Sequence, residues 1–72
     1  MPTLDARGLA CPLPLALAKR EMAKLGGGEL LFVLATDPEA PIDLAAWAAE
    51  EGHAFSERAP GEYELRKRLA ED

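Results

Sequence analysis

The chain has little of what stabilises or equips many small proteins. A single cysteine, Cys11, excludes an internal disulfide framework. With a single histidine, His53, it also excludes an intrachain zinc site of the usual four-ligand kind, and no metal is expected. The longest apolar run, Leu30 to Ala35, is far short of the roughly 20 residues a membrane span needs. Met1-Pro2-Thr3-Leu4-Asp5 has neither the basic nor the long apolar region of a signal peptide, so the expectation is a cytoplasmic, reduced protein with no membrane partner. No repeat, linker or low-complexity tract divides the chain. Its 72 residues are expected to form one domain, 1–72, able to bury about 60% of the surface its unfolded form exposes. With 49% hydrophobic and 29% charged residues, the composition is globular rather than disordered.

Positive charge is also scarce and unevenly placed. The net charge is −5, with a balance of +2 over residues 1–28 and −7 over 29–72. Phosphate neutralisation by Lys and Arg supplies most non-specific nucleic-acid affinity, so no direct nucleic-acid contact is expected. The bases Arg7, Lys19, Arg20 and Lys24 in the first third either receive an acidic protein partner or form an ordinary solvated face.

Thr3 to Ala6 reads as a short strand ended by a turn at Gly8. Pro12 to Leu25 reads as a helix, with Leu13, Leu17, Ala18, Met22 and Leu25 at three- and four-residue spacing and Gly26-Gly27-Gly28 ending it. The triple glycine lacks the Lys-Ser/Thr of a phosphate loop. Glu29 to Thr36 is a strand apolar on both alternating sets, which predicts two partly covered faces and leaves an association face open. Pro41 and Gly52 bracket a second helix, Ile42 to Glu51, with Leu44, Trp47 and Ala48 inward. His53 to Arg58 and Glu62 to Lys67 form a hairpin around Ala59-Pro60-Gly61, with Phe55, Tyr63 and Leu65 as anchors. The order βαβαββ predicts an α/β two-layer sandwich: a four-stranded mixed sheet, parallel pairing across both helical crossovers, and two helices on one face.

Cys11 is the residue with chemistry to offer. The residue before a proline is pushed out of helical dihedrals, which places the thiol at the N-cap of the first helix. Cysteine is a poor cap, so a local rule is broken there without structural gain, the usual mark of function. The partial positive charge of the helix start is expected to lower the thiol's pKa; Leu13 N–H and the cysteine's own N–H are the nearest donors. Pro12 and Pro14 stiffen the turn and fix where the sulfur points. A lone thiol, without the resolving partner of a Cys-x-x-Cys pair, holds a sulfur atom or an oxidation product until something external removes it. Asp5 and Gly8 shape the turn leading to Cys11. A Cys11–His53 nucleophile pair needs a close approach that sequence does not show.

The segment Leu4-Asp5-Ala6-Arg7-Gly8-Leu9-Ala10-Cys11-Pro12-Leu13-Pro14 resembles the signature of the TusA/SirA family of sulfur-carrier proteins. That signature reads Asp, two residues, Gly-Leu, one residue, then Cys-Pro-x-Pro running into a helix. The resemblance covers essentially the whole chain. It implies the family's two-layer fold, shared with the C-terminal domain of the third bacterial initiation factor. It also implies a sulfurtransferase without metal or organic cofactor. By this resemblance Cys11 takes sulfane sulfur as a persulfide from a donor such as a cysteine desulfurase and relays it to an acceptor protein. The routes served by members include transfer-RNA thiolation, molybdenum cofactor maturation and sulfur oxidation. By the resemblance Asp37 falls near the family's acidic position after the second strand, and Lys19 and Arg20 fall where members carry basic residues used in partner docking; Lys24 is expected to join them in guiding an acidic partner. Leu13 replaces a glutamate, and Ala23 a basic residue, of the transfer-RNA-linked members, which puts the particular partner in question. The alternative is a non-enzymatic redox-regulatory or binding domain whose cysteine senses oxidation or packs. An RNA-binding module is disfavoured by charge. A monomer or weak homo-oligomer is expected.

Overall fold

The computed structural model describes residues 2–69. Its elements are β1 (Thr3–Asp5), α1 (Leu13–Ala23), β2 (Leu30–Leu34), α2 (Ala40–Glu51), β3 (Ala54–Ala59) and β4 (Glu62–Arg66). They form a four-stranded mixed sheet in the order β1-β2-β4-β3. β1 runs parallel to β2, and β4 is antiparallel to both its neighbours. The expected parallel pairing across the second crossover does not form: β3 points the same way as β2 but is separated from it by β4. Side-chain chemistry gives the reason. Tyr63 and Leu65 of β4 are buried, whereas β3 carries exposed Ser56, Glu57 and Arg58 and occupies the edge, where unpaired backbone meets water and polar side chains are tolerated.

The pleat of β2 sorts its apolar residues. Leu31 and Val33 are buried, while Leu30, Phe32 and Leu34 on the alternate face are half-buried. Against Leu31, Val33, Tyr63 and Leu65 pack Ala18 and Met22 of α1 and Ala40, Leu44 and Ala48 of α2, so both helices cover one face of the sheet. Phe55 and Trp47 pack partly buried at the rim of this core. In α1 the buried stripe is Pro14, Ala18 and Met22, at four-residue spacing. Leu13, expected inward, is instead 49% exposed because it opens the helix on the outer side of that stripe.

The chain after β4 closes both helix ends. Lys67 Nζ donates to the carbonyls of Met22 (3.0 Å) and Leu25 (2.7 Å) at the end of α1, and Arg68 donates to the Glu51 carbonyl (2.9 Å) of α2. These orphan carbonyls carry partial negative charge, which a cation complements. The Arg66-Lys67-Arg68 run is thus partly a pair of helix caps rather than only a solvated strand end.

Gly61 sits at the β3–β4 turn with φ +80°, and a Cβ there would lie 3.0 Å from the Ala35 carbonyl oxygen. The same turn accepts the Ala35 N–H at its Gly61 carbonyl, 3.0 Å away, so neither backbone can retreat freely. Gly61→Ala is expected to cost about 1–3 kcal/mol through left-handed strain plus this contact. An unchanged urea midpoint for that variant would contradict the turn geometry.

Candidate functional site

Two parallel strands side by side deliver their following loops to the same edge of the sheet, and ligands in α/β folds gather outside such carboxyl ends. Here the connections are β1–α1, carrying Cys11, and β2–α2, carrying Thr36, Asp37 and Glu39. Three donors of the first connection stitch it to the β2 side. Ala6 N–H donates to the Leu34 carbonyl (2.7 Å), Gly8 N–H to Thr36 Oγ1 (2.9 Å) and Cys11 N–H to Asp37 Oδ2 (3.2 Å). Asp37 also accepts the Glu39 N–H at Oδ1 (2.7 Å), so one carboxylate starts the second helix and anchors the cysteine backbone.

The helix starts one residue later than the pre-proline argument predicts. Ala16 N–H donates to the Pro12 carbonyl (3.0 Å), the first intrahelical bond, which makes Pro12 the N-cap with φ −101° and ψ 19°. Cys11, joined to Pro12 by a cis peptide, lies outside the helix and is exposed. Both donors expected to face the sulfur are engaged elsewhere: Leu13 N–H bonds the Ala10 carbonyl at 2.9 Å, and Cys11 N–H bonds Asp37. Pro12 is exposed, and Pro14, in the first turn of α1, is buried on the helix's inner stripe.

The sulfur meets carboxylates instead. Cys11 Sγ donates to Asp43 Oδ2 at 2.8 Å, and the Asp43 hydrogen bond, burial and the charges of Asp43, Asp37 and Glu39 push the thiol up to about 11. This reverses the lowered pKa expected from a helix terminus, because full negative charges outweigh a partial positive one. Asp43 and Glu39 escaped the sequence reading. An acid in the first turn of a helix reads as ordinary dipole complementation, and only the strand order brings the two helix starts together. Among the described residues, no group of three or more His, Cys, Asp and Glu side chains is arranged to hold a metal ion.

Asp5 accepts the Arg7 backbone N–H (3.2 Å) and both guanidinium donors (2.9 and 2.8 Å). That pairing holds its carboxyl down at about 2, and it builds the turn that Gly8 continues with φ +82°. Lys19, Arg20 and Lys24 stand exposed farther along α1; Lys24 and Arg20 reach Glu21 at 3.2 and 3.9 Å. His53 is not brought to Cys11. Its Nδ1 accepts the Arg68 N–H (3.0 Å), and its ring lies 5.0 Å from that of Trp47.

A family model described as Sulfurtransferase TusA matches residues 2–68. The chain belongs to the TusA family. The sulfur carrier protein TusA of Allochromatium vinosum is 43% identical over 54 residues, covering 75% of this chain and 71% of that one. YrkI of Bacillus subtilis is 47% identical over 55 residues, covering 76% and 73%. YrkF of the same organism is 48% identical over 52 residues, and the chain spans only 28% of its length. The crystal structure of a SirA-like protein from Desulfitobacterium hafniense superposes with a TM-score of 0.75 at 32% identity, over 90% of this chain and 92% of that one. The βαβαββ two-layer sandwich is therefore the fold of a TusA/SirA-family protein.

Proposed function

We propose that residues 1–72 act as one cytoplasmic sulfur-carrier domain, a sulfurtransferase in which Cys11 receives sulfane sulfur as a persulfide and passes it to an acceptor protein. The observation that carries this reading is an exposed thiol at the meeting point of two helix starts, inside the family's motif and fixed by carboxylates from the second connection. A thiol so exposed is open to another protein's sulfur, which a packed structural cysteine is not. Oxidation sensing calls for an accessible thiol of low pKa, and the acidic surround works against it.

The donor supplies a persulfide, such as that of a cysteine desulfurase; transfer-RNA thiolation, molybdenum cofactor maturation and sulfur oxidation are the routes considered for the acceptor. Beside the thiol, Leu13 at the start of α1 and Ile42 next to Asp43 expose apolar side chains, 49% and 61% accessible, suited to contact with a partner. Arg20 and Lys24, seven and eleven residues on from Leu13, extend that face toward an acidic partner surface, beginning about 10 Å along the helix, and Lys19 adds positive charge on the adjoining side. No organic cofactor or metal has a step to perform. The carrier works as a monomer or weak homo-oligomer.

Intact-mass measurement after incubation with cysteine and a cysteine desulfurase tests the proposal. The expected result is a gain of one sulfur atom, removed by a reductant and absent in Cys11→Ser, whose thermal unfolding stays that of the wild type. A folded wild type that gains nothing from several donors contradicts it, and an unfolded Cys11→Ser favours a structural thiol.

A further inference from the structure

The sulfur and its acceptor come from different elements. Cys11 lies in the β1–α1 connection, and Asp43 lies 32 residues on, half-buried in the first turn of α2. A carboxylate in a first turn is favoured by the partial positive charge of the helix start. The α2 terminus therefore steadies Asp43, and Asp43 in turn steadies the thiol. The two aspartates divide the cysteine between them: Asp37 takes the Cys11 backbone N–H at 3.2 Å, and Asp43 takes the Sγ proton at 2.8 Å. Among the described residues, the charged groups bearing on the sulfur are all negative, Asp43 from α2 and Asp37 and Glu39 from the β2–α2 connection. On the facing side the first turn of α1 holds no acid. Arg7, the base of the β1–α1 connection, is closed onto Asp5.

We infer that Asp43 is a positioning residue for the carrier thiol: it holds the proton on Cys11 Sγ and aims the S–H bond toward α2 until a sulfur donor enters. The inference rests on the carrier reading above. In the transfer, Cys11 Sγ bonds to the terminal sulfur of the donor's anionic persulfide while the donor's S–S bond breaks. The Sγ proton ends on the departing donor sulfur. A thiol and a persulfide anion become a persulfide anion and a thiol, with no net oxidation or reduction. A proton held this way keeps the empty carrier unreactive toward small disulfides and electrophiles, which meet a neutral thiol.

The test compares wild type, Asp43→Asn and Asp43→Glu. The rate of Cys11 with a small uncharged disulfide is followed from neutral to alkaline pH, and circular dichroism monitors the fold. Asp43→Asn keeps the shape and removes the charge. Its midpoint is expected to fall by about one pH unit or more, which is about tenfold more thiolate at neutral pH. Asp43→Glu is expected to retain the high midpoint. Superimposed profiles for wild type and Asp43→Asn would overturn the inference. If Asp43→Asn fails to fold, the wild type decides alone: its infrared S–H stretch should lie below that of the unfolded chain, and coincidence of the two bands overturns the inference. Sulfur loading of wild type by a cysteine desulfurase is read separately. A shifted midpoint without loading sinks the carrier reading only, and loading with superimposed profiles sinks the role of Asp43 only.

Discussion

Leu65→Ala is expected to remove about 2–5 kcal/mol of stability, the range for a large-to-small change at a closed core position. Leu65 has no accessible surface and is paired across the sheet with both Leu31 and Phe55, so no neighbour can swing in from solvent to fill the space. Against this stands a total of about 4–11 kcal/mol for a chain of 72 residues. The variant is therefore expected to lose roughly a fifth or more of its urea midpoint, and to be substantially unfolded if the wild type lies at the low end. Ile42→Ala is the matched control. Its side chain is 61% exposed, and its loss is expected to move stability by no more than about 0.5 kcal/mol. Equal shifts for the two variants, or no shift for Leu65→Ala, would contradict the assignment of the core to the helix-covered face of β2 and β4.

The same residues show how much of the fold was legible in the chain. Tyr63 and Leu65 alternate with Glu62 and Glu64, and that period alone marks β4 as a strand with one buried face. Ala59-Pro60-Gly61 announces the hairpin. Neither cue says where the hairpin attaches. The βαβ rule suggests β3 beside β2, yet β4 takes that place, because it is the strand that can bury Tyr63 and Leu65 against the helices while β3 is polar enough for an edge. Counting apolar residues does not separate the two strands, since β3 has Ala54, Phe55 and Ala59 against Tyr63 and Leu65 of β4; the cue is that β4 alternates two large apolar side chains on one face, whereas β3 carries one.

The site was legible as a position but not as an environment. Cys11-Pro12-Leu13-Pro14 fixes a thiol before a helix, and Asp37 is the first residue of a break after an apolar strand. Their meeting, 26 residues apart in the chain, is a consequence of β1 and β2 being parallel neighbours. Cap geometry is the weaker cue: Pro12 restricts the dihedrals of Cys11 before it but does not decide which carbonyl accepts the first helical bond, and here the Pro12 carbonyl accepts it. The sign of the electrostatics followed from that displacement. A thiol at the N-cap would face free N–H groups; a thiol one residue outside, with its own N–H given to Asp37, faces Asp43.

That sign has a measurable consequence. At neutral pH the native Cys11 is expected to react about tenfold more slowly with a small uncharged disulfide than the same cysteine in the urea-unfolded chain. Access does not produce the difference, since the native thiol is exposed. Raising the thiol from 9.0 to about 11 lowers the thiolate fraction at neutral pH about a hundredfold. Nucleophilicity rises with basicity with a coefficient of about 0.4–0.5, returning somewhat less than tenfold, so the reduced population wins. Above about pH 11 both forms are thiolate, and the native cysteine is expected to be several-fold the faster, so the two profiles cross. Linkage runs in the same direction. The native state holds this proton more tightly than the unfolded chain. The thiol therefore favours the native state below about pH 9, and that contribution drains away as the pH climbs toward about 11. A native thiol that outpaces the unfolded one at neutral pH would mean that the helix start, not the three carboxylates, governs the sulfur.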